Sequence, residues 1–114
     1  MTTICRGELL AAWETMGNVL YGVIDPATTK MSKPIAAPGA AKGRKYPVVS
    51  GNSKGETLLA WTEGMSFRSG GSLAWQVFDK NGNPAGEIGH SDGVPARSLI
   101  AAFTRPDGGF TIVY

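Results

Sequence analysis

Three oxygen-bearing side chains alternate in the segment DKNGN, namely Asp79, Asn81 and Asn83. Carboxylate and amide oxygens at this spacing begin the calcium loop of an EF-hand, and they suit a hard cation. The rest of that loop does not follow, because Pro84 stands where glycine is required and His90 where a bidentate glutamate is required. The Asn-Gly pair instead favours a type I′ hairpin turn, so we predict a turn here and no metal site.

The other reactive side chains form no recognised catalytic set. His90 is the only histidine and Cys5 the only cysteine, and no nucleophile motif such as GxSxG accompanies them. A zinc site or an internal disulfide would need more ligands or a second cysteine. The segment GAAKGRK, around Lys42, lacks the GxxxxGK[ST] spacing of a phosphate-binding loop. We predict no catalytic residues, no metal and no cofactor, and expect a protein that is not a self-contained enzyme.

Aromatic side chains could instead bind a ligand by stacking. Four of them lie in apolar runs: Trp13, Tyr21, Trp61 and Trp75. Their positions recur along the chain, which favours packing in the core. The loop GMSFRSGG differs, because it places Phe67 and Arg68 in a polar, glycine-rich stretch. Loops on a rigid scaffold often carry binding sites, so we predict Phe67 and Arg68 as ligand-binding residues, with a glycan or a protein as the ligand.

The composition indicates one small domain, spanning residues 1–114, that is rich in turns. The 114 residues are 42% hydrophobic and include 16 Gly and 7 Pro. Apolar residues come in short bursts bounded by Gly, Pro, Asn or Asp, as in short β-strands, and no burst is long enough to cross a membrane. The net charge is +2 with scattered basic residues, which argues against a nucleic-acid partner.

The N-terminal segment MTTICRGELLAAW lacks the pattern of a cleavable secretion signal, because Glu8 interrupts its apolar run. As written, the sequence predicts a cytoplasmic protein. If the chain is the C-terminal piece of a longer precursor, we expect a secreted or periplasmic one.

An internal repeat carries most of the information about the fold. GELLAAWET (7–15) returns 48 residues later as GETLLAWTE (55–63), and GGFTIVY (108–114) is a looser third copy. Between these copies, GNVLYGVID (17–25) aligns with GSLAWQVFD (71–79) without a gap. A six-residue insertion in the second unit then falls in the loop after Trp61. Unequal loops on equal strands are typical of repeat proteins.

Each repeat unit predicts four short strands. Two come from the aligned segments, a weaker third lies around Lys33–Ala37 or Ala85–His90, and the fourth is Tyr46–Ser50 or Ser98–Thr104. Several strands are apolar at consecutive positions, as expected of strands buried on both faces. Four antiparallel strands in about 50 residues fit one blade of a β-propeller.

We therefore predict an all-β fold of about two four-stranded antiparallel propeller blades plus one extra strand. The repeat units are 7–54 and 55–108, with a closing strand at 109–114. The alternative is a β-sandwich of the immunoglobulin type, which also uses short strands but predicts no internal repeat.

These repeats resemble those of secreted bacterial β-propeller proteins of the sialidase-like superfamily. RPDGGFTI (105–112) is similar to the sialidase Asp-box, Ser-x-Asp-x-Gly-x-Thr-Trp, at Asp107, Gly109 and Thr111, and departs from it at Arg105 and Ile112. An Asp-box is a structural turn between blade strands, so the resemblance implies a propeller fold without implying catalysis. Sialidase chemistry, as the resemblance implies it, needs an arginine cluster, and the five arginines here are scattered without a shared motif.

Two hypotheses about function follow. The first is a non-catalytic propeller module that binds carbohydrate or protein; the second is a fragment of a sialidase-like glycoside hydrolase. Because an isolated pair of blades would leave apolar faces in water, we also expect self-association or the missing blades of a longer chain as partner.

Overall fold

The computed structural model describes residues 2–5, 8–40, 43–66 and 68–114, and their regular structure is entirely β-strand. The strands are β1 (Thr2–Cys5), β2 (Glu8–Thr15), β3 (Asn18–Ile24), β4 (Ile35–Ala36), β5 (Arg44–Gly51), β6 (Thr57–Glu63), β7 (Gly71–Phe78), β8 (Gly89–Val94), β9 (Ala101–Thr104) and β10 (Phe110–Val113). The predicted all-β class is confirmed. Within the described ranges there is no helix able to span a membrane.

The strands form three antiparallel sheets in chain order. Sheet 1 contains β1 to β4, sheet 2 contains β5 to β8, and sheet 3 contains β9 and β10, with each strand paired to its neighbour in sequence. Strands joined by short loops pair most readily with one another, which explains the meander order. The sheets stay separate, and the described residues form no closed barrel.

The sheets and the sequence repeats have different boundaries. Tyr46–Ser50, predicted as the fourth strand of the first unit, lies in β5 and pairs with β6 of sheet 2. Residues 101–104 of the predicted strand Ser98–Thr104 form β9, which pairs with β10. The strands were predicted but their pairing partners were not, because a repeat gives the period of the strands but not the point at which the chain crosses to a new sheet.

The predicted third strands are short or displaced. Residues 33–37 contain β4, whereas 85–90 overlaps β8 only at its first residues. Pro84 forms an isolated bridge with Phe78, and hydrogen bonds from Asp79 N to the Asn83 carbonyl and from Ala85 N to the Val77 carbonyl flank it, so the ladder does not need the missing N–H of proline. The regular pairing of β8 with β7 begins at Gly89.

The hairpin turns follow their glycines. Met16 and Gly17 join β2 to β3 with φ of 51° and 80°, as a type I′ turn requires. The loop 64–70 joins β6 to β7, where the insertion was predicted. In DKNGN the predicted turn is confirmed, but the predicted type I′ is wrong, because Gly82 has positive φ and Asn81 does not.

Sheet 2 is packed between the other two sheets. Along β6, Leu59 and Trp61 contact the core shared with sheet 1, while Ala60 contacts the core shared with sheet 3. Alternate residues of a strand point to opposite faces, so consecutive apolar positions fill both cores. All three residues have 0% exposed surface. Face-packed antiparallel sheets of this kind occur in β-sandwiches and in propeller blades alike.

Candidate binding cleft between sheets 1 and 2

A cleft of about 610 Å³ opens between sheets 1 and 2, at the end of the strands where β3 and β7 finish. Sites for small molecules have volumes of about 300 to 1,000 Å³. Its apolar floor consists of Leu10, Tyr21, Val23 and Ile35, and its polar rim includes Glu8, Ser32, Lys33, Asp79, Lys80 and Asn81. We call it the inter-sheet cleft.

The first wall of the cleft is the connection between β3 and β4, and hydrogen bonds to β3 hold it in place. Ser32 N donates to the Val23 carbonyl at 2.8 Å, and Val23 N donates to Ser32 Oγ at 3.0 Å. Closer to the turn, Asp25 N donates to the Lys30 carbonyl at 2.9 Å. Lys33 and Ile35 follow directly and are thereby placed at the cleft.

The second wall is the DKNGN turn that follows β7. Asp79 Oδ1 accepts hydrogen bonds from Asn81 N at 2.8 Å and Asn83 N at 3.0 Å, an Asx-turn arrangement. A Cβ at Gly82 would overlap the tip of the Ile35 side chain, which would have to move aside. Of the three side chains that resemble a calcium loop, Asp79 builds the turn with its carboxylate, whereas Asn81 and Asn83 take part through their backbone N–H groups.

Tyr21 lies at the base of the cleft and is 2% exposed. Its ring packs 5.0 Å from the Phe78 ring, in a tilted arrangement, so it joins the two sheets. Burial raises the pKa of Tyr21 to about 12; a hydrogen bond with the Thr57 side chain opposes this shift, and the Asp79 carboxylate adds to it. The phenol therefore stays protonated, and it remains a hydrogen-bonding group at neutral pH.

The described residues of the rim carry equal numbers of opposite charges. Glu8 and Asp79 supply two carboxylates, and Lys33 and Lys80 supply two ammonium groups. Among the residues that the structure describes, no histidine, cysteine or arginine lines the cleft. The polar rim and the apolar floor together suit the cleft to binding a ligand by hydrogen bonds and apolar contact.

The predicted binding residues lie elsewhere. Arg68 is exposed in the loop 64–70, and Phe67 lies outside the described residues. The loop precedes β7, and the DKNGN turn follows Phe78, the last residue of β7. The eight residues of β7 therefore separate the loop from the cleft. The loop is held by Ser69 N, which donates to Ser66 Oγ at 3.0 Å. Ligand binding by Phe67 and Arg68 stays a prediction.

Arg44, which the sequence did not single out, is 3% exposed and fastens sheet 2 to sheet 1. Its guanidinium donates to Asn18 Oδ1 at 2.9 Å and to the Pro38 carbonyl at 2.6 Å, and it stacks 5.0 Å from the Trp61 ring centre. Burial lowers the pKa of Arg44, and the nearby Glu63 carboxylate opposes that shift. Its sequence context, a Gly-rich connection, gave no sign of this packing role.

The segment similar to an Asp-box forms the turn between β9 and β10. Asp107 Oδ1 accepts a hydrogen bond from Gly109 N at 2.8 Å, which is the main reason that the pKa of Asp107 is lowered. Arg105 donates to the Phe110 carbonyl at 2.8 Å and to Thr111 Oγ1 at 3.1 Å. Arg105, which departs from the Asp-box pattern, thus takes part in the turn itself.

The remaining candidates for chemistry are dispersed. His90 is exposed on β8, and its Nδ1 is 3.8 Å from Glu63 Oε1. In the part of the chain that the structure describes, no group of three or more His, Cys, Asp or Glu side chains could hold a metal ion.

Sequence reasoning missed the inter-sheet cleft although it contained one signal for it. The alignment of GNVLYGVID with GSLAWQVFD places Asp25 opposite Asp79, at the same end of two equivalent strands. Residues that follow equivalent strands of stacked sheets lie on the same side of the stack, and residues 32–35 after β3 and 79–82 after β7 line the cleft. No family model matches this chain, and neither a curated protein nor a solved structure matches it.

Proposed function

We propose that the chain is a non-catalytic binding and scaffold module made of β-propeller blades, with its ligand in the inter-sheet cleft. Sheets 1 and 2 support the blade assignment, since each is a four-stranded antiparallel meander in chain order. Sheet 2 is also buried on both faces, as a blade between two neighbours is. The internal repeat favours this arrangement over a β-sandwich.

The ligand that suits the cleft best is a carbohydrate. A saccharide presents hydroxyl groups around an apolar ring face and carries no net charge in its neutral forms. The cleft offers Leu10 and Ile35 for the ring face, and Lys33 and Asn81 for the hydroxyls. Its balanced rim charges give no preference for a strongly charged ligand. The observation that carries the proposal is this cleft of about 610 Å³ with a mixed lining.

The second hypothesis, a fragment of a sialidase-like hydrolase, would require arginines that converge on a substrate carboxylate. Arg44 is buried and bonded to backbone carbonyls, and Arg105 holds the turn before β10. Neither of them lines the inter-sheet cleft. These contacts favour the non-catalytic hypothesis.

A glycan array followed by titration calorimetry tests the proposal. We expect the chain to bind at least one neutral glycan on the array. Lys33→Ala should weaken the affinity for that glycan about tenfold or more. Lys45→Ala should leave the affinity unchanged, because Lys45 is exposed and lies outside the cleft. A fluorogenic sialoside should show no turnover. Turnover that an arginine substitution abolishes would establish the hydrolase hypothesis, and a chain that retains no glycan would overturn the assignment of the ligand.

A further inference from the structure

A groove of about 460 Å³ lies between β7 and β10, on the face of sheet 2 that packs against sheet 3. Its apolar lining comes from Leu73, Trp75 and Val77 on one side and from Phe110, Ile112 and Tyr114 on the other. None of the described residues that line it is charged. We call it the β10 groove.

The groove borders a strand edge that is open to pairing. Among the described residues, β10 pairs with β9 on one side only. Arg105 N donates to the Gly109 carbonyl at 2.7 Å, and the bonds of an antiparallel ladder alternate from that pair onward. The backbone groups of Thr111 and Val113 therefore point to β9, and those of Phe110 and Ile112 point to the open edge. At this edge the Arg105 guanidinium already donates to the Phe110 carbonyl at 2.8 Å, whereas the Phe110 N–H and both backbone groups of Ile112 are available for pairing.

The packing of sheet 2 against sheet 1 shows which strand fills the space equivalent to the β10 groove. Tyr21 of sheet 1 and Trp75 of sheet 2 occupy the same position in the aligned segments GNVLYGVID and GSLAWQVFD. Tyr21 is 2% exposed, because β7 of the next sheet covers it with Phe78. Trp75 is only half-buried, since sheet 3 has no described strand in the place of β7.

The β7 side chains that cover sheet 1 indicate which side chains a strand bound over the β10 groove would carry. On β7, Ala74 and Phe78 point toward sheet 1, and Gln76 lies between them on the same face. They pair with β6 residues Trp61, Thr57 and Leu59 respectively. By the repeat, Tyr114, Phe110 and Ile112 stand at the corresponding positions of β10.

We propose that the β10 groove binds an extended peptide strand that pairs antiparallel with β10 and carries a small residue, a polar amide and an aromatic residue at alternate positions. The backbone of such a peptide would pair with the Phe110 N–H and with both backbone groups of Ile112, and its aromatic residue would lie against Trp75 and Val77. Strand addition at an open sheet edge uses main-chain hydrogen bonds for affinity and pockets for alternate side chains for specificity. This site is separate from the inter-sheet cleft, and its test does not depend on the ligand of that cleft.

A synthetic peptide with the sequence of residues 70–80, GGSLAWQVFDK, provides the probe, because it carries the β7 pattern. We expect saturable binding to the full chain by titration calorimetry, with the amides of Phe110 and Ile112 gaining protection from hydrogen exchange. Phe78→Ala in the peptide should weaken binding about tenfold or more, and a scrambled peptide should not bind. Because these changes leave the protein unaltered, they test the proposal even if a groove variant fails to fold.

Two protein variants locate the site. Trp75→Ala should weaken peptide binding, whereas Phe103→Ala should not, because Phe103 is 50% exposed on the opposite face of sheet 3. Absence of binding at about 1 mM peptide, equal binding of the scrambled peptide, or an equal effect of Phe103→Ala would each overturn the proposal. If the Phe110 and Ile112 amides become protected in the chain alone as its concentration rises, a second copy occupies the groove and the proposal of a peptide ligand is wrong.

Discussion

At the scale of single residues, the repeat predicts where a side chain lies in its strand better than how deeply that side chain is buried. Trp13 and Trp61 are equivalent in sequence, yet Trp61 is fully buried between sheets 1 and 2 while Trp13 is half-buried. The difference arises because Trp61 lies on the face of β6 that packs against sheet 1, whereas Trp13 lies on the face of sheet 1 that points away from sheet 2. Equivalent residues thus have different energetic roles according to what covers them.

Trp61→Ala should destabilise the fold by about 3 to 5 kcal/mol, the usual cost of deleting a buried large aromatic side chain. The variant also removes the ring on which the Arg44 guanidinium stacks. Chemical denaturation measures the loss. Trp13→Ala is the matched control and should cost clearly less; a Trp61→Ala variant within about 0.5 kcal/mol of the parent chain would show that Trp61 is exposed.

Tyr21 should make the fold sensitive to high pH. Its pKa is about 12 in the folded chain against an ordinary tyrosine value of 10.0, so between these pH values the unfolded state loses a proton that the folded state keeps. Stability is therefore fully present below pH 10 and falls by up to about 1.4 kcal/mol per pH unit as the pH rises toward 12. Denaturation curves should show a smaller fall for Tyr21→Phe. The same fall in both proteins would contradict the raised pKa.

At the scale of the elements, the sequence predicted strands and hairpin positions from short apolar runs and glycines, but not strand partners. The repeat directly predicts the segments that form β2 and β3, those that form β6 and β7, and the longer loop 64–70. The pairing of β5 with β6 does not, because it depends on where the chain crosses between sheets. The inter-sheet cleft was missed for the same reason, since it lies between two walls that are distant in sequence.

The approach of the DKNGN turn to the first wall of the cleft should depend on Gly82. Gly82→Ala places a methyl group against Ile35 and also strains a backbone with φ of 81°. Gly86→Ala is the matched control, because its φ is 87° and its added Cβ would have nothing within 4 Å. We expect backbone strain to lower the free energy of unfolding of both variants by about 1 kcal/mol. Only Gly82→Ala should lose more stability than this and also weaken ligand binding in the cleft. Equal melting temperatures for the two variants would argue against the close approach.

Within the loop 64–70, Met65 packs against the core between sheets 2 and 3, but the side chains of Phe67 and Arg68 should contribute little to stability. Arg68 is exposed, and the first unit joins its equivalent strands with only Met16 and Gly17. Arg68→Ala and Phe67→Ala should therefore leave the melting temperature nearly unchanged, within the range typical of surface substitutions. A loss of several kcal/mol in either variant would mean that the substituted side chain is part of the core.

At the scale of the whole molecule, the stack has two apolar end faces. On sheet 3, Phe103 is 50% exposed and Val113 is 52% exposed, and both point away from sheet 2. On the far side, Leu9 and Trp13 of sheet 1 are half-buried on the face opposite to Leu10. In sheet 2, Leu59 and Trp61 occupy positions aligned with Ala11 and Trp13 and are fully buried by a neighbouring sheet. Repeat proteins bury such faces only against further repeats.

We therefore predict that the chain self-associates through its end faces, unless further blades of a longer chain cover them. Size exclusion with light scattering should give a mass above 11.9 kDa that rises with concentration. Phe103→Asp should shift the equilibrium toward the monomer, because it places a charge on the outer face of sheet 3. Met16→Asp is the control, since Met16 is fully exposed at the β2–β3 turn and adds its charge away from both faces. A monodisperse monomer that melts cooperatively would contradict self-association and favour a self-contained β-sandwich, because such a fold needs no neighbour to bury its core.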